Sequence, residues 1–172
     1  MKKYLLVDAY NIIFAWEELK NLVKNVSLEA ARKRLCEILS DYKGFCGKSL
    51  EIICVFDAHM VEGGKGSGVA FLNIKIIYTE EKQTADHYIE ASVSKLSVKD
   101  SVTVATSDLL ETVISVSRGA IRISPKELRS LIREAREKHK NYITPRAASN
   151  VLGDFLDAET NAFFEKRRRE KK

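Results

Sequence analysis

The stretch Tyr4-Leu5-Leu6-Val7-Asp8 decides the fold, because a short apolar run with strand character ends there at an acid. The same arrangement recurs at residues 52–57, which read Ile-Ile-Cys-Val-Phe-Asp, and at residues 102–108, which end in Ser-Asp. Stretches with helical periodicity separate these runs, and such alternation is typical of βαβ units around a parallel sheet. Strands are predicted at residues 3–8, 50–56, 74–78, 101–105 and 120–123.

Two helix starts support this interpretation. Ser27 precedes an apolar stripe at helical spacing, and serine is a favoured N-cap. Ser124-Pro125-Lys126-Glu127 combines a serine cap, a proline at the first helical position and a glutamate that completes a capping box. The sequence therefore predicts one α/β domain, residues 1–165, with a central, mostly parallel sheet of about five strands flanked by helices. A C-terminal helix leads into a basic tail at residues 166–172.

The positive charge of the chain is concentrated in this tail. The 172 residues carry a net charge of +5, and residues 166–172, with six basic side chains and one acidic, account for all of it. The cationic character therefore belongs to a tail of the kind that binds phosphate groups.

The cysteines and the apolar runs indicate the compartment. Cys36, Cys46 and Cys54 lack the spacing of a zinc site or a redox motif, so reduced thiols are expected. The chain begins with a strand pattern rather than a signal peptide, and no apolar run approaches the roughly 20 residues that span a bilayer. We expect a cytoplasmic protein with no membrane association.

Four aspartates carry the functional signal. Asp8, Asp57 and Asp108 each follow a predicted strand, and Asp86 opens the helical stretch after the strand at 74–78. In a parallel α/β sheet the carboxyl ends of the strands share one edge, where ligands bind. Carboxylates gathered there repel each other unless cations are present, and Mg²⁺ and Mn²⁺ prefer oxygen ligands. We therefore predict a Mg²⁺ or Mn²⁺ site in which all four aspartates are metal-binding and catalytic.

Each aspartate also has a purely structural explanation. Asp8 would cap the helix that follows it, and Asp57 would be a turn residue. Asp86, after Thr84 as cap, would favour the helix dipole, and Asp108 would begin a capping box. Capping alone does not require an acid at nearly every strand exit on one edge, and this favours the metal site.

Polar neighbours fit the same site. Asn11 and Ser107 are expected to place water or phosphate, and Thr84 to support the ligands. Glu90 lies one helical turn after Asp86 and is a candidate fifth acid, with an exposed surface residue as the alternative.

Other features point away from a nucleotide-binding or serine-hydrolase role. Residues 44–49 contain Gly-Lys-Ser, but a predicted strand follows where a P-loop requires a helix. The chain has no Gly-x-Ser-x-Gly elbow. Phe14 and Trp16 are expected to pack in the core or between helices rather than against bases.

The ordered motifs resemble those of NYN domains, a branch of the PIN-like nucleases, and in particular the YacP-like group. They are Asp8-Ala9-Tyr10-Asn11, Phe56-Asp57-Ala58-His59, Thr84-Ala85-Asp86 and Ala105-Thr106-Ser107-Asp108. The resemblance implies a Rossmann-like PIN fold and RNA hydrolysis with Mg²⁺ or Mn²⁺, with the four motif aspartates as the site acids. The group includes a ribosome-associated enzyme that cuts messenger RNA in the ribosomal A site, so mRNA and the ribosome are the expected partners.

Two residues depart from the family pattern. Ala9 stands where a glycine is usual, and Leu110 stands where many relatives have another acid. The resemblance therefore predicts one firmly held metal and a second, weaker one.

Basic side chains are predicted to contact RNA phosphates, which gives salt-dependent affinity without sequence preference. They are Arg129, Arg133 and Arg136 on the helix after Ser124, and Lys166, Arg167, Arg168 and Arg169 in the tail. A solvated helix face is the alternative explanation for the first three.

The predicted function is a divalent-metal-dependent endoribonuclease. One alternative is a non-catalytic RNA- or ribosome-binding adaptor that keeps the fold. The other is a receiver-like signalling module, since Asp57 follows a strand in an open α/β fold. Such modules resemble this chain in size but carry paired acids at the end of the first strand, whereas Val7 and Ala9 flank Asp8.

Overall fold

The computed structural model describes residues 1–57, 68–80, 83–108 and 116–143. Its strands are β1 (Lys3–Asp8), β2 (Leu50–Phe56), β3 (Gly68–Phe71), β4 (Ile74–Tyr78), β5 (Ser101–Ala105) and β6 (Ile121–Ile123). Its helices are α1 (Ala9–Ala15), α2 (Glu17–Asn25), α3 (Leu28–Cys46), α4 (Ala85–Leu96) and α5 (Pro125–Ile143).

The described strands form one mostly parallel sheet in the order β3-β4-β2-β1-β5-β6. All neighbouring strands pair in parallel except β3, which runs antiparallel to β4. The expected α/β class and the five expected strands are confirmed, and the last strand begins at Ile121.

β3 is a strand that the sequence does not predict. This edge strand has only four residues, and the turn that joins it to β4 contains Leu72 and Asn73 instead of the usual glycine. Leu72 adopts a φ of 52°, which a branched apolar residue rarely does. An Asn-Gly or Asp-Gly pair in the turn is the strongest short-range signal of a hairpin, and the Leu72-Asn73 turn lacks it.

Two apolar layers cover the sheet. Alternate β1 residues face opposite sides, so that Leu5 and Val7 join the cluster formed with α1, α2, α3 and Leu128 of α5. Leu6 joins the cluster on the other side, where the helix is α4, with Ile89 and Val93 as its buried residues. The sheet edge formed by the strand ends therefore lies between two helical layers.

Both expected helix starts are present. The Ser27 hydroxyl accepts a hydrogen bond from the backbone N–H of Ala30 at 3.0 Å. At the start of α5, the Glu127 carboxylate accepts from the Ser124 N–H at 2.7 Å, and the Ser124 hydroxyl accepts from the Glu127 N–H at 3.2 Å. These reciprocal bonds form a capping box and lower the pKa of Glu127.

Phe14 near the end of α1 and Trp16 directly after that helix differ in burial. Trp16 is buried between α1 and α2, and its indole N–H donates to the carbonyl of Pro125 at 2.9 Å. Arg129 lies over its ring at 5.9 Å and forms an ion pair with Glu18 at 3.1 Å. Core packing is thus confirmed for Trp16. It is wrong for Phe14, whose side chain is 44% exposed.

The chain divides into two compact units, Met1–Arg136 and Glu137–Lys172. In the second unit the structure describes only the last turns of α5, so the expected domain end at residue 165 and the tail lie outside the described residues. Cys36 and Cys54 are buried free thiols. Within the described ranges, no helix combines the length and apolarity that crossing a membrane requires.

The substitution Trp16→Phe is expected to lower the free energy of unfolding by about 0.5–1.5 kcal/mol, because it removes the indole N–H that donates to the Pro125 carbonyl, which keeps its helical partner. Urea unfolding followed by circular dichroism measures the change. An unchanged midpoint would show that this bond does not fasten α5 to the α1–α2 boundary.

Candidate active site

Three of the predicted acids lie at the exits of adjacent strands. Asp8 is the last residue of β1 and is in register with Val55 of β2, so Asp57 follows two residues beyond that pair. Asp108 follows the end of β5 at Ala105, which is in register with Val7. Adjacent strands are about 5 Å apart, so these carboxylates share one short stretch of the sheet edge.

Strand alternation directs two of these side chains to the α4 layer. Asp8 is in phase with Leu6 and Asp57 is in phase with Val55, and both apolar residues pack in the cluster that contains α4. The first turn of α4 carries Asp86. We refer to these four side chains as the acid cluster: Asp8, Asp57, Asp86 and Asp108.

Asp8 is the buried member of the acid cluster, with 5% of its surface exposed. Its carboxylate caps α1 by accepting from the Asn11 N–H at 3.2 Å, and it also accepts from the Asn11 side-chain amide at 2.5 Å. The Ser107 hydroxyl in turn donates to the Asn11 side-chain carbonyl. The predicted accessory residues Asn11 and Ser107 therefore connect the exit of β1 to that of β5.

The pKa of Asp8 is raised. Burial is the main cause, and the charge of Asp86 adds to it, whereas the hydrogen bonds from Asn11 act in the opposite direction. The capping role of Asp8 is therefore confirmed, and its cap bonds do not cancel the cost of burying the charge, while its role as a site acid stays a prediction.

Asp86 connects the acid cluster electrostatically. Its pKa is raised, first by partial desolvation and then by the charges of Asp108 and Asp57, with a small opposing effect of His87. Since Asp86 also raises the pKa of Asp8, it interacts with every other member. Thr84 caps α4 by accepting from the His87 N–H at 3.3 Å, which holds the first turn, and Asp86 with it, at this edge.

Asp108 is held by the end of β5. Its N–H donates to the hydroxyl of the buried Thr106 at 3.0 Å. The carbonyl of Thr106 accepts from the Arg122 guanidinium at 3.2 Å. Arg122 was not predicted as a site residue. Its signal in the sequence is a basic side chain between the two isoleucines of a short strand.

Glu90, the candidate fifth acid, has a different partner. Its carboxylate forms an ion pair with Arg118, which also donates to the Ser94 hydroxyl. An arginine therefore compensates the charge of Glu90. Its membership of the site stays a prediction.

The predicted RNA-binding arginines lie along α5, which begins directly after β6. Arg129 forms an exposed ion pair with Glu18 and lies over the Trp16 ring, and its contact with RNA stays a prediction. Arg133 and Arg136 are exposed, and Arg136 lies about 16 Å along the helix from its start. Lys166, Arg167, Arg168 and Arg169 lie outside the described residues.

Comparison with known proteins identifies the family. The model of the YacP-like NYN domain matches residues 5–169 of the chain. This chain belongs to the YacP-like NYN domain family. It is 34% identical over 167 residues to the uncharacterized protein YacP of Bacillus subtilis (strain 168), and the match covers 96% of both chains.

Crystal structures of a relative agree with this assignment. The structure of Rae1 (YacP) from Bacillus subtilis matches with a TM-score of 0.69 at 33% identity, over 96% of this chain and 94% of that one. A tryptophan-to-leucine mutant of the same relative matches with a TM-score of 0.66 at 34% identity, over 80% and 79%. The chain thus has the fold of this NYN relative.

The donor set of this NYN domain fits a hydrated cation rather than a fully caged one. Among residues 1–57, 68–80, 83–108 and 116–143, no three Asp, Glu, His or Cys side chains converge closely enough to bind one ion. The acid cluster therefore does not form a closed cage of protein ligands. It fits a hydrated Mg²⁺ or Mn²⁺, since magnesium usually takes one or two carboxylates and keeps several waters.

The variant Asp86→Asn is expected to stabilise this NYN domain in the absence of metal. The folded state raises the pKa of Asp86 above its ordinary value of 3.8, so between the two values the folded state binds more protons than the unfolded state. The free energy of unfolding of the wild type therefore falls as the pH rises from 3.8 through the folded pKa. Asparagine does not ionise, so the variant lacks this decrease.

Urea unfolding in chelator, at pH 3.8 and at neutral pH, measures this difference. The gain should be present at neutral pH and nearly absent at the lower pH. Asp41→Asn, which removes an exposed acid of α3, is the matched control. A neutral-pH stability of Asp86→Asn at or below that of the control would contradict the repulsion inferred here.

Proposed function

We propose that this YacP-like NYN domain is a divalent-metal-dependent endoribonuclease that cleaves RNA, with mRNA at the ribosome as its substrate. The observation that carries the proposal is the electrostatic connection of Asp86 to Asp8, Asp57 and Asp108 at one sheet edge. Membership of a nuclease-like family supports the reaction class. The messenger and the ribosome come from the family resemblance.

The acid cluster supplies the ligands in this proposal. Asp8 and Asp86 would hold Mg²⁺ or Mn²⁺ directly, and Asp57 and Asp108 would hold its water ligands. When bound, such a cation polarises a phosphoryl oxygen, lowers the pKa of bound water and steadies the leaving oxygen. The raised pKa values of Asp8 and Asp86 support this assignment, because burial, and after it the charges of neighbouring acids, disfavours the charged carboxylates and a shared cation would offset both effects.

The polar residues around Asp8 would orient the reacting groups. Asn11 fixes both oxygens of the Asp8 carboxylate, and Ser107 fixes the Asn11 amide through its carbonyl. With its amide oriented by these bonds, Asn11 presents a defined donor direction at the site. Ser107 is exposed, precedes Asp108 in the chain and binds the Asn11 that holds Asp8, so its hydroxyl would contact a phosphate oxygen at this edge.

Contacts to the RNA backbone would provide affinity without selecting a sequence. Arg133 and Arg136 remain candidates because both are exposed, whereas Arg129 is engaged by Glu18. Recognition of a particular messenger or codon would then come from the ribosome or from unstacked bases.

The variants Asp8→Asn and Asp86→Asn are each expected to lower RNA cleavage by at least about 100-fold, while the fold and RNA binding are retained. Asparagine keeps an oxygen for the helix cap but removes the charge that a cation requires. Cleavage of labelled RNA in Mg²⁺ or Mn²⁺, and on translating ribosomes, measures the effect. Asp41→Asn is again the control. Cleavage by the double variant at the wild-type rate would refute the proposal.

A non-catalytic RNA- or ribosome-binding adaptor is the second candidate. The observation that favours it is that no three ligating side chains converge in the described part of the chain. The same assay separates the two candidates, because an adaptor cleaves neither free RNA nor mRNA on ribosomes in Mg²⁺ or Mn²⁺ and binds free RNA equally in Mg²⁺ and in chelator.

The double variant Arg133→Gln with Arg136→Gln is expected to weaken RNA binding and to flatten its salt dependence. Each lost contact to single-stranded RNA should reduce the slope of log K against log salt by roughly 0.7. Fluorescence anisotropy over a salt series measures both quantities. Lys33→Gln with Arg34→Gln on the exposed face of α3 removes the same charge as a control. Equal slopes for the two variants would assign Arg133 and Arg136 to a solvated surface.

A further inference from the structure

Four aromatic rings form a row along the edge of the sheet that carries the acid cluster. Tyr78 ends β4 and stacks on Phe56 at 5.5 Å, and Phe56 ends β2 and meets the edge of Tyr10 at 5.6 Å. Tyr10 in α1 stacks on Phe14 at 6.3 Å, with an angle of 27° between the rings. We refer to this set as the aromatic row.

The middle rings of the aromatic row are buried, and Phe14 at its end is exposed. Phe56 is fully buried and Tyr10 is 8% exposed, whereas Phe14 is 44% exposed. Phe14 lies one helical turn after Tyr10, so the buried ring supports one face of the exposed ring. The other part of its surface is available to a planar partner.

Phe14 is also a neighbour of the polar network around Asp8. It lies three residues after Asn11 in α1, a spacing that brings side chains of a helix within about 5–6 Å at Cβ. Asn11 in turn binds Asp8 and Ser107. A group stacked on Phe14 would therefore lie about one helical turn from Asn11, the residue that binds Asp8.

We propose that Phe14 is a stacking platform for an unpaired base of single-stranded RNA, held next to the acid cluster. The inference rests on the proposed function and specifies its substrate: the strand must be unpaired there, because bases in a duplex are already stacked. Aromatic side chains bind bases in this way without selecting sequence. The supported ring is already oriented, so little conformational freedom is lost on binding.

A single exposed apolar residue would not support this inference, since such residues are common on protein surfaces. Val26 is an example, with 68% of its surface exposed at the end of α2. Phe14 differs in two respects, because a buried ring supports its orientation and its helix neighbour Asn11 binds an acid of the site.

Binding of a short single-stranded RNA that contains 2-aminopurine tests the proposal, in chelator so that no cleavage occurs. Wild type should quench the fluorescence of the base, and Phe14→Leu should bind roughly 5- to 150-fold more weakly with little quenching. Phe14→Trp should restore both. Val26→Ala is the control for loss of an exposed apolar side chain. Circular dichroism shows whether each variant is folded.

The same ribose-phosphate backbone without bases completes the test. Wild type and Phe14→Leu should bind this abasic strand equally, because the platform has nothing to stack on. An equal loss for Phe14→Leu on both strands, or no loss on either, would overturn the inference and leave the proposed function intact. RNA that fails to bind the wild type in chelator would overturn this inference alone, because cleavage in Mg²⁺ or Mn²⁺ on translating ribosomes tests the proposed function separately.

Discussion

The architecture of the candidate site depends on the repulsion between carboxylates that the chain gathers at one sheet edge. Parallel pairing of β2, β1 and β5 brings the strand exits together, and α4 adds Asp86 from the neighbouring layer. Burial and mutual charge raise the pKa values of Asp8 and Asp86, so the fold loses stability to keep them there. A divalent cation bound there, as proposed, would remove that cost, and this would link the sheet topology to the proposed chemistry.

Asp8 shows how one residue serves both the fold and the site. It ends a strand, caps the next helix and anchors Asn11, which reaches the β5 exit through Ser107. These bonds set the orientation of the carboxylate before any ligand arrives. Preorganisation of this kind would reduce the conformational entropy lost when a ligand binds. The interpretation of Asp8 as a helix cap is confirmed, and its role as a metal ligand stays a prediction.

The sequence predicted the class of fold and five strands, because apolar runs and helix caps are local signals. It also predicted that Asp8, Asp57 and Asp108 follow neighbouring strand ends, since parallel strand ends share an edge, and their binding of a metal ion stays a prediction. β3 was not predicted, because its turn carries Leu72 at positive φ instead of glycine. The exposure of Phe14 and the arginine partner of Glu90 escaped for another reason: both depend on tertiary neighbours that no local pattern encodes.

Titration of the aspartate carboxyl carbons by nuclear magnetic resonance, without metal and with Mg²⁺, tests the central claim most directly. We expect raised pKa values for Asp8 and Asp86 without metal and lowered pKa values with Mg²⁺. The changes in chemical shift that Mg²⁺ causes should be concentrated in the acid cluster. Ordinary pKa values at both residues, or shifts that Mg²⁺ leaves unchanged, would contradict it.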